Sequence, residues 1–205
     1  MAYKNWVFLN VPFDRKYKPL LEAAVFVIYD CGFIARSAME DDDGSVVRIE
    51  KLYRLISESK YGIHDISRVT LDTKNRLPRF NMPLELGLFL GAKRFGVAKD
   101  KKKRALVLDI TEYRYQKFCS DIAGQDIRAH KNNTTVLIRK IRNWLRSSPH
   151  LKGLIVPSPE TIAKRYRKFQ KDLPTLCRPY GLSSNSLEFN DYSTLVGGWL
   201  KANPK

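Results

Sequence analysis

WVFLNVPFDRKYKPLLEAAVFVIYDCG, residues 6–32, holds the first unit of the fold. Trp6 to Leu9 is a continuous apolar run that ends at Asn10-Val11-Pro12, the pattern of a strand buried on both faces as in a parallel sheet. Pro19 opens a helical pattern that sets Leu21, Ala24, Val25 and Ile28 on one face, and Gly32 stops it.

The alternation continues downstream. Gly32 to Arg36 reads as a second short strand leading into the polar loop Met39 to Gly44. Ser45 is placed to cap a helix carrying Ile49, Leu52, Tyr53 and Ile56. Tyr61 to Ile66 is a third strand, ending in the polar group His64, Asp65, Ser67 and Arg68, and a polar loop runs on through Pro78. Asn81 is placed to cap the next helix, with Pro83 in its first turn, where a missing N–H costs nothing. Arg104 to Ile110 is the fourth strand, Tyr113 to His130 is mixed, and Thr134 to Arg146 is an amphipathic helix with Leu137, Ile138, Ile141, Trp144 and Leu145 inward.

Strand and helix alternating over residues 5–146 predict an α/β fold: an open, doubly wound, mostly parallel sheet with helices on both faces. Beyond Pro149 the pattern is helical only. One helix starts at Ser158-Pro159-Glu160, carries Ile162, Tyr166, Phe169 and Leu173, and is expected to break at Pro174; a last one carries Leu195, Val196, Trp199 and Leu200. The expected division is an α/β domain at 1–149 and a basic helical extension at 150–205, packed on the sheet domain or on a second copy.

A chain of 205 residues, 43% hydrophobic, is long enough to bury a core without a metal or disulfide staple. Its three cysteines, Cys31, Cys119 and Cys177, are far apart and in no CxxC spacing, so neither a secreted disulfide framework nor a zinc finger is expected, and a cytoplasmic location is. No apolar run reaches the roughly 18–20 residues needed to span a bilayer, and the N-terminus reads as a buried strand and not a signal peptide. The charge is the unusual number. Thirty-seven Lys and Arg against 21 Asp and Glu give +16, which raises nucleic acid or another polyanion as a partner. The excess is uneven: through Ala98 there are 15 basic and 12 acidic residues, net +3, and after it 22 and 9, net +13. KDKKKR at 99–104 and the basic positions of the helices after 134 carry much of it, either as solvated faces or as a polyanion surface.

In an open parallel sheet ligands bind outside the carboxyl ends of the strands, where strand order reverses. Those ends would gather Asn10, Pro12, Phe13 and Asp14; Arg36 to Asp43; His64, Asp65, Ser67 and Arg68; and Asp109 to Tyr115. The helix opening at Asn81 brings Glu85 to the same edge. Glu85 is a single carboxylate among leucines in the first helical turn, followed by Gly87 and Gly91, whose spacing leaves one helix face open to a close backbone or a flat ligand. The helix N-terminus would keep it ionised. The same residue also reads as an exposed acid that complements the helix dipole. His64 reads as a satisfied structural group or a base, and Asp65 as an acid able to hold a ribose hydroxyl. GxGxxG after the first strand, GxxxxGK[ST], HExxH and GxSxG are all absent, which disfavours classical dehydrogenases, P-loop NTPases, zinc proteases and α/β hydrolases.

VFLNVPFDRKYKPLLEA, ISESKYGIHDIS and RFNMPLELGLFLGAKRFG together resemble bacterial TIR-like proteins related to the nucleoside 2-deoxyribosyltransferases, over about residues 5–146. The most specific part is ELGLFLG, which is similar to the ExGxA helix that bears the catalytic glutamate in both families. The DG-T-E arrangement of the transferases is absent, with FNMPLE in its place, and the loop after the second strand matches the TIR pattern only in its acidity.

The resemblance implies a flavodoxin-like sheet and cleavage of an N-glycosidic bond, with Glu85 at the anomeric carbon and Asp65 on the ribose. Asn10, Pro12 and Phe13 would line the nucleotide pocket. Arg36 or Arg68 would meet a pyrophosphate and Phe13 or Tyr115 a ring, with His64, Ser67 and Asn81 completing the site. NAD or a related nucleotide would be the substrate, with no cofactor and no metal, in a role in antiphage defence. A non-catalytic nucleotide-binding or signalling module, and a nucleoside 2-deoxyribosyltransferase or hydrolase, are the alternatives. A second copy of the chain is a candidate partner; nucleic acid is a weaker one, and a membrane is not expected.

Overall fold

The computed structural model describes residues 5–69, 71, 77–78 and 80–205. Five strands form one sheet: β1 (Trp6–Asn10), β2 (Ile34–Arg36), β3 (Tyr61–Asp65), β4 (Arg104–Asp109) and β5 (Ile127–Ala129). Every pair is parallel and the order is β2-β1-β3-β4-β5. The chain winds outward from β1 to β2, then crosses to β3 and continues the other way. The strand order therefore reverses between β1 and β3, and the crevice of a doubly wound sheet lies above that pair.

Among the described residues six helices flank the sheet: α1 (Lys18–Asp30), α2 (Arg48–Glu58), α3 (Asn81–Phe95), α4 (Thr134–Arg146), α5 (Pro159–Cys177) and α6 (Phe189–Ala202). Strand alternation sorts the two faces. Val7, Leu9, Tyr61, Ile63, Leu106 and Leu108 join one continuous core with α1, α4, α5 and α6. On the other face Phe8 packs with α2 and α3, and Val107 joins Ile66, Leu86 and Tyr115.

The sequence 150–205 contributes to the same core as the sheet. The α1 stretch KPLLEAAVFVIYD is apolar around most of its circumference, as a helix must be when both of its sides are covered. Its inner side meets the sheet and its outer side meets α5 and α6, where Phe26 lies 5.5–5.8 Å from the rings of Tyr166, Phe169 and Trp199.

Four local expectations are corrected. First, α5 runs through Pro174 to Cys177; its stripe Ile162, Tyr166, Phe169, Leu173 and Cys177 is buried to the last turn, and that packing outweighs one lost backbone bond. Second, α2 begins at Arg48 and not behind Ser45, because Ser45 bonds back to Asp43 through its amide (2.9 Å) and hydroxyl (2.6 Å), closing a turn of its own. Third, Asn81 is the first residue of α3 and not its cap. Fourth, the mixed stretch before α4 contains β5, a three-residue edge strand. The expected polar loop up to Pro78 falls largely outside the described residues.

Candidate active site at the β1–β3 crevice

Asn10 ends β1, and its side chain ties α3 to the sheet. Its Nδ2 donates to the Met82 carbonyl (2.9 Å) and lies 3.0 Å from His64 Nδ1. A neutral His64 that accepts there carries its proton on Nε2. The imidazole is fully buried between Phe8 and Phe89, with ring centroids 5.9 and 4.8 Å away, and burial alone pulls its pKa down to about 3. His64 is thus held neutral inside the packing between β3 and α3. Gly62 makes room for it: a Cβ there would stand 2.5 Å from His64 Nε2 and 2.8 Å from Phe89, so α3 can lie this close to β3 only over a glycine.

Glu85 sits in the second turn of α3, one turn deeper than its expected place in the first. It is 4% exposed, and among the described residues no hydrogen bond or ion pair reaches its carboxylate. Desolvation raises its pKa to about 7, opposed among the described residues by the Arg48 guanidinium. The expectation that it stays ionised is therefore corrected: burial raises its pKa, and the acid is poised between its two forms at neutral pH.

Arg48, the exposed first residue of α2, lies 5.8 Å from the ring of Phe13. Phe13, itself 38% exposed, follows the buried Val11-Pro12 pair at the end of β1. Arg68, beyond β3, pairs with Asp14 at 3.3 Å across the top of the two strands. Around the β1–β3 crevice the fold thus collects Phe13, Arg48, Arg68 and the Glu85 carboxylate. Sequence reading missed Arg48; its signal was a basic residue opening the helix behind an acidic loop.

Asp65 is placed elsewhere. It shares the Tyr61-Ile63-Asp65 side of β3, the face of α1 and α4, whereas α3 lies on the opposite face. It is fully buried, and its Oδ2 accepts from Tyr17 Oη (2.5 Å) and lies 3.1 Å from His130 Nε2. His130 Nδ1 accepts from the Asn132 amide (3.0 Å), so a neutral ring turns Nε2–H toward the carboxylate. Asp65 Oδ1 accepts from the Ser67 amide (2.8 Å), which is how Ser67 is used. Burial and the Asp65 charge raise the Tyr17 pKa well above its ordinary value, so the phenol stays a donor. The sheet separates Asp65 from Glu85, and the expected pairing of the two acids on one ribose is not formed.

Three more expected residues lie away from the crevice or have other work. Arg36 lies 3.6 Å over the Trp6 ring and is held by Glu40 (2.6 Å) and Glu58 (3.6 Å), which leaves its charge answered. Tyr115 is 5% exposed against Ile66, Leu86 and Val107. Asn81 is exposed and makes no capping bond. Nearby, Asp109 accepts from Arg114 Nη2 (2.6 Å) and the Ile110 amide (2.6 Å), while burial still raises its pKa. No group of His, Cys, Asp and Glu among the described residues could hold a metal ion, and no helix among them is long and apolar enough to cross a membrane.

No protein-family model, no curated protein and no solved structure matches this chain.

Proposed function

We propose that the chain cleaves the N-glycosidic bond of NAD or a related nucleotide, with Glu85 as the group that meets the anomeric carbon. The observation that carries this reading is a nearly buried carboxylate with no hydrogen-bond or ion-pair partner among the described residues, beside the strand-order reversal of a parallel sheet. Breaking the bond between C1′ and the base nitrogen sends the electron pair out with the base and leaves positive charge on the ribosyl carbon. A carboxylate stripped of water stabilises that charge far better than one in bulk solvent. Water then adds its oxygen to C1′ and loses a proton, giving the free ribosyl product.

The remaining residues fit a nucleotide ligand. Arg68 and Arg48 offer positive charge for a pyrophosphate, and Phe13 offers an apolar ring. Asp65 acts at a distance, by fixing Tyr17 and hence the loop that presents Phe13. The resemblance of ELGLFLG to the TIR-like glutamate helix supports the same chemistry, and with it a role in antiphage defence.

The test is incubation with NAD across pH 5.5 to 8.5 with chromatography of released nicotinamide. The expected result is release that rises through about pH 7 as Glu85 ionises, and a loss of at least about 100-fold in Glu85→Gln. No release at any protein concentration, or equal release by the variant, overturns the reading. A second reading, nucleotide binding without turnover, is favoured by the sealing of Asp65 on the far face. Calorimetry that finds tight NAD binding with the ligand recovered intact would select it.

A further inference from the structure

At the opposite end of the sheet, β4 and β5 differ in length. β4 has six residues and β5 only three, and their pairing covers Val107, Leu108 and Asp109 alone. In a parallel ladder alternate residues turn their backbone groups to alternate neighbours. The Arg104 amide donates to the Lys60 carbonyl (2.9 Å) and the Leu108 carbonyl accepts from the Ile66 amide (2.9 Å), so the even residues of β4 face β3. The Asp109 carbonyl accepts from the His130 amide (2.9 Å), so the odd residues face β5. Ala105 is odd, and β5 does not reach it. Its N–H and C=O therefore point to an open edge, without a strand partner among the described residues.

That edge opens into a cleft of about 800 Å³. Leu106 and Trp144 line it from the α4 side, Leu90, Lys93 and Arg94 from α3, with Lys101 just before β4 and Arg128 on β5. The one acid there, Asp126, is already paired with Arg128 at 2.7 Å. An open edge ringed by lysine and arginine resists pairing with a second copy of itself, since two such edges would bring like charges together. It selects a strand of opposite charge.

We propose that this cleft is a docking site for an extended acidic peptide, which adds beside Ala105 by main-chain hydrogen bonds. Alternate side chains of an added strand point to opposite faces. One set would meet Lys93 and Arg94 and should be acidic; the other would meet Leu106 and Trp144 and should be apolar. The site lies at the C-terminal end of α3, about 12 Å of helix from Glu85, and it uses the cations Lys93, Arg94 and Lys101, which the nucleotide reading leaves idle.

The test uses a fluorescein-labelled hexapeptide of alternating Glu and Val, read by anisotropy at low and physiological salt. The expected result is saturable binding, weakened at least 10-fold by the double substitution Lys93→Glu with Arg94→Glu. These side chains are exposed but stand in the last turn of α3, so the double variant should melt only a few degrees below the parent and stay folded at the assay temperature. The same peptide N-methylated at alternate amides should lose binding although its charge is unchanged, which tests the backbone bonds without altering the protein. No saturable binding, equal binding of the N-methylated peptide, or equal binding of a Lys–Val peptide overturns the proposal. Displacement of the peptide by a lower concentration of a single-stranded oligonucleotide of matched charge also overturns it and makes the cleft a nucleic-acid site.

Discussion

Two carboxylates at the carboxyl edge of the sheet, Glu85 on one face and Asp65 on the other, are both withdrawn from water, yet their surroundings are opposite. Asp65 is met by a phenol, an imidazole and a backbone amide; Glu85 is met by none of these among the described residues. A buried acid with partners holds structure together, and a buried acid without them raises the energy of its charged form until something positive arrives. The contrast predicts opposite signs when each is altered.

The largest effect is expected from Asp65→Ala. It strands Tyr17 and His130 in the core and should cost about 3–5 kcal/mol, a fall in Tm of roughly 10 °C for a chain of this size, read by calorimetry. Glu85→Gln should go the other way. The folded pKa of Glu85, about 7, lies above the ordinary carboxylate value, so the native state binds its proton more tightly than the unfolded chain. Stability from this residue is therefore present at low pH and lost as pH rises from near 4.5 to 7. Gln removes that loss, so the variant should match the parent near pH 4.5 and exceed it at pH 8 by about 2 kcal/mol, allowing for the solvent Glu85 still meets. Equal melting at both pH values would break the comparison.

Tyr17→Phe removes one charge-assisted hydrogen bond to Asp65 and should cost about 1.5 kcal/mol. The cost should be absent in the Asp65→Ala background if the phenol acts through that carboxylate. The smallest effect belongs to Arg48→Ala, which leaves Glu85 without its opposing cation. The pH midpoint of the Glu85 transition should move upward, by roughly half a unit or less because Arg48 is solvated.

Much of this architecture was legible in the chain. The apolar run 6–9, the helix behind Pro19 and the alternation up to 146 led directly to the doubly wound sheet, because long periodic segments are dictated by burial. β5 was hidden because three residues paired along one edge leave no periodic signal, and Pro174 misled because packing of Leu173 and Cys177 is decided far from the proline in sequence. The site was legible in part. Glu85 stood out by its leucine and glycine neighbours, but its burial is a tertiary fact, and its position one turn deeper follows from the helix starting at Asn81. The separation of Asp65 from Glu85 was readable in principle: in Tyr61-Gly62-Ile63-His64-Asp65 the alternation of a strand sets His64 and Asp65 on opposite faces.

The double coverage of α1 has a consequence for how the chain is made. Trp199, which closes over Phe26, is synthesised about 170 residues after it. At about 5–20 residues per second the outer side of α1 waits roughly 10–35 s for its lid. Until then the newborn sheet carries a bare strip of valine and phenylalanine. A ribosome stalled anywhere before residue 189 should therefore display a nascent chain that chaperones hold, whereas extrusion of α6 through Ala202 should end that hold.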